Sequence, residues 1–169
     1  IWHMPIYKTL WDIVQSGELG KVQIITMNFG SFKEYDMSNR FFNMNLAGGA
    51  MLDIGVYALS IVRSFLAEQP DEIVSQWKPS PTGSDEQATI LLKNAQGQMA
   101  TVALSMHSKQ PKRAMISLEK GYIEIMEYPR ADKAVIVGAE SGVQTEITAG
   151  DTADALYYEM QDMEQAVKS

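Results

Sequence analysis

The sequence predicts an α+β fold, in which a largely antiparallel open sheet carries helices packed on one face. Between Glu72 and Val143, short runs of β-branched and apolar residues recur at regular spacing, and turn-forming stretches such as PTGSD, NAQG and KG separate them. Helical spacing of apolar residues is confined to the two ends of the chain and to one segment after the first strand. Because these strands follow one another without helices between them, antiparallel pairing is favoured over βαβ units.

Helices are predicted at both ends of the chain. The first begins at Pro5, since proline suits an initial helical turn, and it ends near Gly17 and Gly20. Its apolar residues recur at helical spacing: Ile6, Leu10, Ile13 and Val14. The last helix is amphipathic, with Asp151 or Thr152 as its cap and an apolar face made of Ala153, Leu156, Met160, Met163 and Val167.

The predicted strands lie between these helices. KVQIITMNFG is the first, and SFKEYDMSNRFFNMN after it shows neither period, which predicts a loop long enough to have a function. Six further strands are predicted after the central helix: EIVSQWK, QATILLK, QMATVALSMH, RAMISLEK, GYIEIMEY and KAVIVG. Apolar residues occupy many positions in two of these strands, so we expect a homo-oligomer in which a second copy covers the open face of the sheet.

Composition excludes several classes of function. The 169 residues carry a net charge of −7 with a pI near 4.8, which argues against nucleic acid as a partner, since its binders need clustered Lys and Arg. The absence of Cys excludes disulfides and thiolate chemistry and favours a reducing compartment, the cytoplasm. The chain contains no run of about 18 consecutive apolar residues, the length that would predict a membrane span. The two histidines, His3 and His107, do not predict a metal site.

One polar stripe interrupts the apolar segment 49–68, which is predicted to be a helix buried on most sides. Asp53 and Tyr57 are four residues apart and share a face of such a helix, and Ser60 and Ser64 continue it. A carboxylate in apolar surroundings needs a partner or a purpose. The flanking glycines, Gly48 and Gly49, allow backbone or a ligand to approach closely.

Two interpretations of this stripe remain open on periodicity alone. In the first, Asp53 is an acid favoured by the helix dipole and Tyr57 is a core residue with a hydrogen-bonded hydroxyl. In the second, the two form a proton-handling pair, because a phenol can exchange a proton with a substrate oxygen while a nearby carboxylate orients the substrate.

The stretch GGAMLDIGVY resembles the motif of the substrate-side, C-terminal domain of the Gfo/Idh/MocA oxidoreductases, and the similarity extends over the whole chain. The resemblance implies a C-terminal domain like that of glyceraldehyde-3-phosphate dehydrogenase. The motif tyrosine, rather than histidine, is similar to the subgroup of dihydrodiol dehydrogenase and glucose-fructose oxidoreductase. It implies that Tyr57 is the catalytic acid or base and that Asp53 lies near the substrate.

The resemblance also implies a missing half. Family members begin with a Rossmann domain that binds NAD or NADP and carries a Glu-Lys-Pro motif, whereas this chain has neither that motif nor a G-x-G-x-x-G stretch. The start at Ile1 and the open-ended last helix also predict a piece of a longer protein. We therefore expect the chain to be one domain, residues 1–169, that is inactive without its own N-terminal Rossmann domain.

The residues expected to contact the substrate match the family only in part. Related sequences often have Trp-Thr-Arg where this chain has Trp2-His3-Met4, so Trp2 is a candidate substrate contact and the arginine has no counterpart. Arg40, which precedes the motif, is a second candidate. The implied substrate is a small molecule: a sugar, a polyol or a related alcohol or ketone. The alternatives are a non-catalytic family member that senses a ligand or drives assembly, and a free-standing domain.

Overall fold

Eight strands form one open sheet in the computed structural model of the chain, which describes residues 1–168. In chain order they are β1 (Val22–Gly30), β2 (Glu72–Pro79), β3 (Asp85–Lys93), β4 (Met99–Ser105), β5 (Gln110–Leu118), β6 (Gly121–Met126), β7 (Lys133–Gly138) and β8 (Gln144–Thr148). Across the sheet the order is β2-β3-β4-β1-β5-β6-β7-β8. Only the β1–β4 pair is parallel among these described strands, so the predicted largely antiparallel sheet is confirmed.

Three α-helices accompany the sheet: α1 (Pro5–Ser16), α2 (Val56–Phe65) and α3 (Ala155–Lys168). Helix α1 begins at the predicted proline and ends at Gly17, whose left-handed backbone (φ 73°) a residue with a side chain would adopt less readily. A five-residue π-helical turn, Met51–Gly55, leads directly into α2. The predicted α+β class is therefore confirmed.

The core lies between the helices and one face of the sheet. Alternate residues of β3, β4 and β5 are buried on this face because successive side chains of a strand point to opposite sides. Those of the central strands include Ala88, Ile90, Leu92, Ala100, Val102, Leu104, Ala114 and Ile116. Helix α2 contributes Ala58, Ile61, Val62 and Phe65 to the same core. The apolar alternation of the strands thus decides which face α2 covers.

The central helix differs from the prediction in two ways. The predicted continuous helix over 49–68 is replaced by the π-helical turn and the shorter α2. The prediction that it is buried on most sides is wrong for Leu52 and Val56, which are 60% and 46% exposed. Periodicity could not detect this, because a π turn changes the residue count per turn without changing the composition.

Two elements at the end of the chain also differ from expectation. Strand β8 was not predicted, because its sequence QTEIT is polar and the strand lies at the exposed edge of the sheet. Helix α3 forms as predicted, but its apolar face does not pack on the sheet. Ala155 is the only buried residue among those of α3 that the structure describes. The others remain exposed: Leu156, Met160, Met163 and Val167.

The segment Met44–Phe65 is long and apolar enough, by length and composition alone, to cross a membrane. It is interrupted by a left-handed residue, Ala47, and by the glycine pair before the π-helical turn. Of its most apolar window, 44% is buried inside the protein. Packing against the sheet accounts for the buried part of this segment, whereas Leu52 and Val56 remain exposed.

A buried tyrosine pair joins α1 to the β6–β7 connection. The Tyr7 hydroxyl donates a hydrogen bond to the backbone carbonyl of Tyr128. Burial raises the pKa of both phenols above the ordinary range, and for Tyr7 the neighbouring Tyr128 adds to the increase. The Tyr128 hydroxyl is completely buried and has no hydrogen-bond partner among the described residues. Tyr128 therefore bears an unsatisfied polar group inside the core.

We expect Tyr128→Phe to leave the free energy of unfolding unchanged or to raise it by about 1 kcal/mol, because the substitution removes a buried hydroxyl without a partner. Tyr7→Phe is the matched control and should lower the same free energy by about 1 kcal/mol, since it removes a hydroxyl that does donate. Urea unfolding of the three proteins measures the difference. Equal destabilisation by both substitutions would show that the Tyr128 hydroxyl has a partner.

Candidate active site

A cavity of about 760 Å³ lies beside the first turn of α2. Tyr57 and Phe29 line it from the centre of the fold, and Lys112, Glu127 and Arg130 line it from β5 and the β6–β7 connection. Its wall thus combines a phenol, acids and cations, which are the groups that proton transfer and binding of a polar molecule require.

Tyr57 lines this cavity and has a hydroxyl without a partner among the described residues. The side chain is 40% exposed, and its ring lies against Phe29 with the ring centroids 6.3 Å apart. Phe29 is itself buried and meets Tyr128 edge-on at 5.9 Å, so the ring of Tyr57 rests on a fixed aromatic base. Within residues 1–168 the Tyr57 hydroxyl makes no hydrogen bond to the protein. The core-tyrosine interpretation, which required a hydrogen-bonded hydroxyl, is therefore wrong.

Asp53 is held by Arg40 rather than by Tyr57. The Asp53 carboxylate is nearly buried, with 10% of the side chain exposed, and it accepts a hydrogen bond from the guanidinium of Arg40. The Arg40 side chain is 57% exposed, and its guanidinium lies 5.0 Å from the ring centroid of Phe41. The structure therefore brings together two of the predicted residues, Arg40 and Asp53, and supplies the partner that a carboxylate in apolar surroundings needs.

The glycine pair allows the backbone to turn tightly before the π-helical turn. Gly49 has a φ of 124°, and a Cβ added there would lie 2.0 Å from a carboxylate oxygen of Asp85. A Cβ added at Gly48 would lie 2.5 Å from the carbonyl oxygen of Arg40. The amide of Gly49 donates to the carbonyl of Phe41 at 2.9 Å. Only glycine fits at these two positions, which explains the Gly48–Gly49 pair before Asp53.

This helix start is not an anion site. The backbone amide of Met51, one of the free donors at a helix N-terminus, already donates to the carboxylate of Asp85 at 2.6 Å. In the described part of the chain, no glycine-rich turn joins a strand directly to a helix in the manner of a dinucleotide-binding domain. These residues therefore do not fit the pyrophosphate of NAD or NADP.

The other predicted positions lie apart from the Tyr57 hydroxyl. Trp2 is 57% exposed and is not among the described residues that line the cavity, although its neighbours Ile1 and His3 are. The hydroxyls of Ser60 and Ser64 bond back to the carbonyls of Val56 and Ser60 at 2.7 Å, as serines in helices often do. The serines thus satisfy their own helix.

Three residues that line the cavity were not predicted from the sequence, because the pairing of the strands places them beside Tyr57. Lys112 lies at the start of β5, with its amine 5.6 Å from the ring centroid of Phe29 and 2.7 Å from a carboxylate oxygen of Glu127. Glu127 has a left-handed backbone (φ 50°), which is uncommon for a residue with a side chain and is found more often at functional sites. Arg130 follows three residues later. No motif could have identified them, because they are far from Tyr57 in sequence.

A second groove, of about 610 Å³, lies between the π-helical turn and the edge strand β2. Its walls are mainly apolar and include Met51, Leu59, Ile73 and Trp77. Asp85, whose carboxylate is engaged with the Met51 amide, is its only acidic or basic residue in the described part of the chain. The cavity beside Tyr57 is therefore the candidate active site.

Glu86 is the buried member of a polar cluster whose partners, Lys78 and Tyr35, are partly exposed. The side chain is 1% exposed; it accepts from the Lys78 amine at 2.8 Å and from the Tyr35 hydroxyl. The His107 ring stacks on Tyr35 with centroids 4.2 Å apart. Burial by itself would raise the pKa of Glu86, but the hydrogen bonds from Lys78 and Tyr35 outweigh it and lower the pKa below the ordinary value of 4.5.

A lowered pKa in the folded state links Glu86 to acid stability. Its contribution is fully present above the ordinary value of 4.5 and is lost as the pH falls through the lower folded value. We expect Glu86→Gln to be less stable than the wild type at neutral pH and to lose less stability on acidification, measured by urea unfolding at a series of pH values. Glu72→Gln, at an exposed ion pair with Lys93, is the control and should follow the wild type. Parallel curves for Glu86→Gln and wild type would contradict the expectation.

Comparison with known proteins defines the class to which this fold and site belong. A profile described as the GFO/IDH/MocA C-terminal domain matches residues 7–124, which is more than half of the chain. The chain therefore belongs to the Gfo/Idh/MocA family of oxidoreductases, and the resemblance of its motif is confirmed.

Individual relatives agree with the predicted subgroup. Trans-1,2-dihydrobenzene-1,2-diol dehydrogenase of Mus musculus is 27% identical over 143 residues, which cover 82% of this chain and 42% of the mouse protein. The protein of the same name from Xenopus laevis is 26% identical over 155 residues, covering 91% of this chain and 46% of the frog protein. The chain thus spans less than half the length of these relatives.

Solved structures share the fold. A 3-ketoreductase from Actinomadura kijaniata, solved in complex with NADP and TDP-benzene, superposes with a TM-score of 0.84 at 20% identity over 98% of this chain and 52% of the reductase. A UDP-N-acetylglucosamine 3-dehydrogenase from Acidithiobacillus ferrooxidans superposes with a TM-score of 0.75 at 14% identity, over 98% of this chain and 50% of the dehydrogenase. At these identities the likeness concerns the fold, which is the predicted domain resembling that of glyceraldehyde-3-phosphate dehydrogenase.

Proposed function

We propose that this chain is the substrate-side domain of an NAD- or NADP-dependent oxidoreductase that acts on a sugar, a polyol or a related small alcohol or ketone. The observation that carries the proposal is Tyr57, which lines a cavity of about 760 Å³ and whose hydroxyl has no protein partner within residues 1–168. A phenol that the fold leaves unpaired in a cavity is available to a substrate oxygen. Membership of an oxidoreductase family supports this use.

In this proposal Tyr57 moves the proton while the cofactor supplies the hydride chemistry. In the direction of reduction, the phenol donates its proton to the carbonyl oxygen as that oxygen gains charge; in oxidation it receives the hydroxyl proton. The ring of Phe29 supports the ring of Tyr57 and limits its movement. The resemblance assigns a lysine of the N-terminal half as the partner of this tyrosine.

Asp53 and Arg40 orient the substrate in the same proposal. Arg40 neutralises part of the charge on Asp53, and the remaining lone pairs of the carboxylate can accept a hydrogen bond from a substrate hydroxyl. The guanidinium is more than half exposed, so it also presents donors to a polar ligand. Neither residue is among the described residues that line the cavity, so in this proposal the substrate extends beyond the cavity to reach the pair.

The experiment that tests the proposal is an activity screen of the full-length protein that carries this chain. Pyranoses, polyols and cyclic diols are offered with NAD or NADP, and the corresponding ketones with the reduced cofactors, while the nicotinamide absorbance is followed. The proposal expects turnover of at least one substrate class by the full-length protein and none by residues 1–169 alone. Tight substrate binding without turnover would instead favour the ligand-sensing alternative.

The outer face of the sheet supports a proposed homo-oligomer. Residues on this face include Leu91 and Met99, which are 44% and 40% exposed on neighbouring strands, with Ile24 and Met115 beyond them. Apolar side chains in the middle of an open sheet favour burial against a second copy. Light scattering of the full-length protein should give at least twice the mass of one chain, and a monomer at micromolar concentration would contradict the proposed assembly.

A further inference from the structure

The turn between β2 and β3 supports the loop that carries Arg40. The Thr82 hydroxyl donates to the backbone carbonyl of Phe42 at 2.5 Å, and the Ser84 hydroxyl donates to the same carbonyl at 3.5 Å. A third hydroxyl, that of Ser80, lies 2.8 Å from each of the other two. These contacts hold the end of the short helical turn that begins at Arg40.

The next residue along the chain, Asp85, binds the other end of this segment. One carboxylate oxygen accepts from the Met51 amide at 2.6 Å, and the other lies where a Cβ of Gly49 would stand. Met51 is the first residue of the π-helical turn, and its amide has no acceptor within that turn. Asp85 therefore caps the start of this helix from a neighbouring strand, whereas a capping side chain normally belongs to the residue just before the helix.

The π-helical turn sets the relative orientation of the two candidate residues. Asp53 lies inside the turn and Tyr57 in the α-helix that follows. A π turn contains one residue more than the α-helical turn it replaces, and each residue of an α-helix adds about 100° of rotation. If the turn reverted to α-helical hydrogen bonding, Asp53 would rotate relative to Tyr57 and would leave Arg40.

We propose that Asp85 is a positioning residue for the active site: its bond to the Met51 amide fixes the π-helical turn and thereby the place of Asp53 relative to Tyr57. Asp85 acts through the backbone and touches neither of those two side chains in the described contacts. Its effect on turnover rests on the proposed function, whereas its effect on the turn does not.

The test compares Asp85→Ala with Asp85→Asn in the full-length protein. The asparagine keeps a side-chain oxygen that can accept from the Met51 amide, and the alanine does not. Asp12→Ala removes an exposed carboxylate of α1 and is the matched control. Hydrogen exchange of the peptide covering 49–57 and the kcat and KM of each variant are the measurements.

We expect Asp85→Ala to speed exchange in this peptide about fivefold, as loss of a cap does. It should lower kcat by about 10- to 100-fold, because a displacement near 1 Å at a reacting centre has effects of this size. Asp85→Asn should restore most of the wild-type exchange rate and most of the wild-type kcat. Asp12→Ala should change neither the exchange rate nor kcat. A general loss of stability would instead affect peptides throughout the protein and would not be rescued by asparagine.

Two results would overturn the proposal. Unchanged exchange of the 49–57 peptide in Asp85→Ala would show that the carboxylate does not fix the turn. Faster exchange with an unchanged kcat would show that the turn is fixed but that catalysis does not depend on it. A wild-type protein without turnover would overturn the proposed function alone, and exchange would still decide whether Asp85 fixes the turn.

Discussion

In the full-length protein, Tyr57→Phe should lower kcat by about 100- to 10,000-fold, the usual contribution of a positioned acid or base. The substitution keeps the ring on Phe29 and removes only the hydroxyl of this cavity-lining residue. Cofactor affinity should stay within about twofold, because the dinucleotide is held mainly by the N-terminal half in this account. Steady-state kinetics and a cofactor titration by fluorescence measure the two quantities.

The matched control is Tyr157→Phe on α3. Tyr157 is 59% exposed, and its hydroxyl accepts only from the Gln161 amide, also on α3, among the described residues. Its removal should change neither kcat nor KM. If Tyr57→Phe kept full turnover, Tyr57 would have no part in proton transfer, and the cavity would need another acid among its lining residues.

Phe42→Ala should lower the free energy of unfolding by about 3–5 kcal/mol, which is the range for removing a large buried aromatic side chain. Phe42 is completely buried although it lies in the long loop before the motif, and its ring packs 5.0 Å from the ring of Tyr35. Its truncation leaves a cavity under the helical turn that presents Arg40. Urea or thermal unfolding measures the loss.

A second phenylalanine of the same loop provides the control. Phe32 is 55% exposed and stacks on His107 at 4.9 Å. Phe32→Ala should therefore lower the free energy of unfolding by about 1 kcal/mol. Similar losses for both substitutions would mean that the loop is not anchored through Phe42, and the support of Arg40 by the β2–β3 turn would need to be reconsidered.

The sequence predicted the parts of the fold that repeat a simple pattern. Helix α1 and strands β1 to β7 follow apolar spacing and turn residues, so their type and order were predictable. Strand β8 was not, because an exposed edge strand needs no apolar alternation. The π-helical turn was not predictable either, and the acceptor of its first amide, Asp85, lies 34 residues further along the chain from Met51.

The candidate site was predictable only where its residues are close in sequence. Tyr57, which lines the cavity, follows from the family motif, whereas the predicted residues Asp53 and Arg40 pair with each other and are not among the described lining residues. Lys112 and Glu127 reach the cavity only through the strand pairing of β5 and β6, which one sequence does not show. The exposed apolar face of α3 likewise differs from the prediction, because amphipathic spacing indicates that a face will be covered but not by what.

The most direct test of the central claim is a crystal structure of the full-length protein with its nicotinamide cofactor and an alcohol substrate identified in the activity screen. We expect the Tyr57 hydroxyl to lie about 2.6–3.2 Å from the oxygen of the reacting carbon, the distance that proton transfer requires. We also expect the carbon to face the nicotinamide and the Arg40–Asp53 pair to border the bound molecule. A substrate oxygen held by other side chains, with Tyr57 beyond hydrogen-bond reach, would contradict proton transfer by Tyr57.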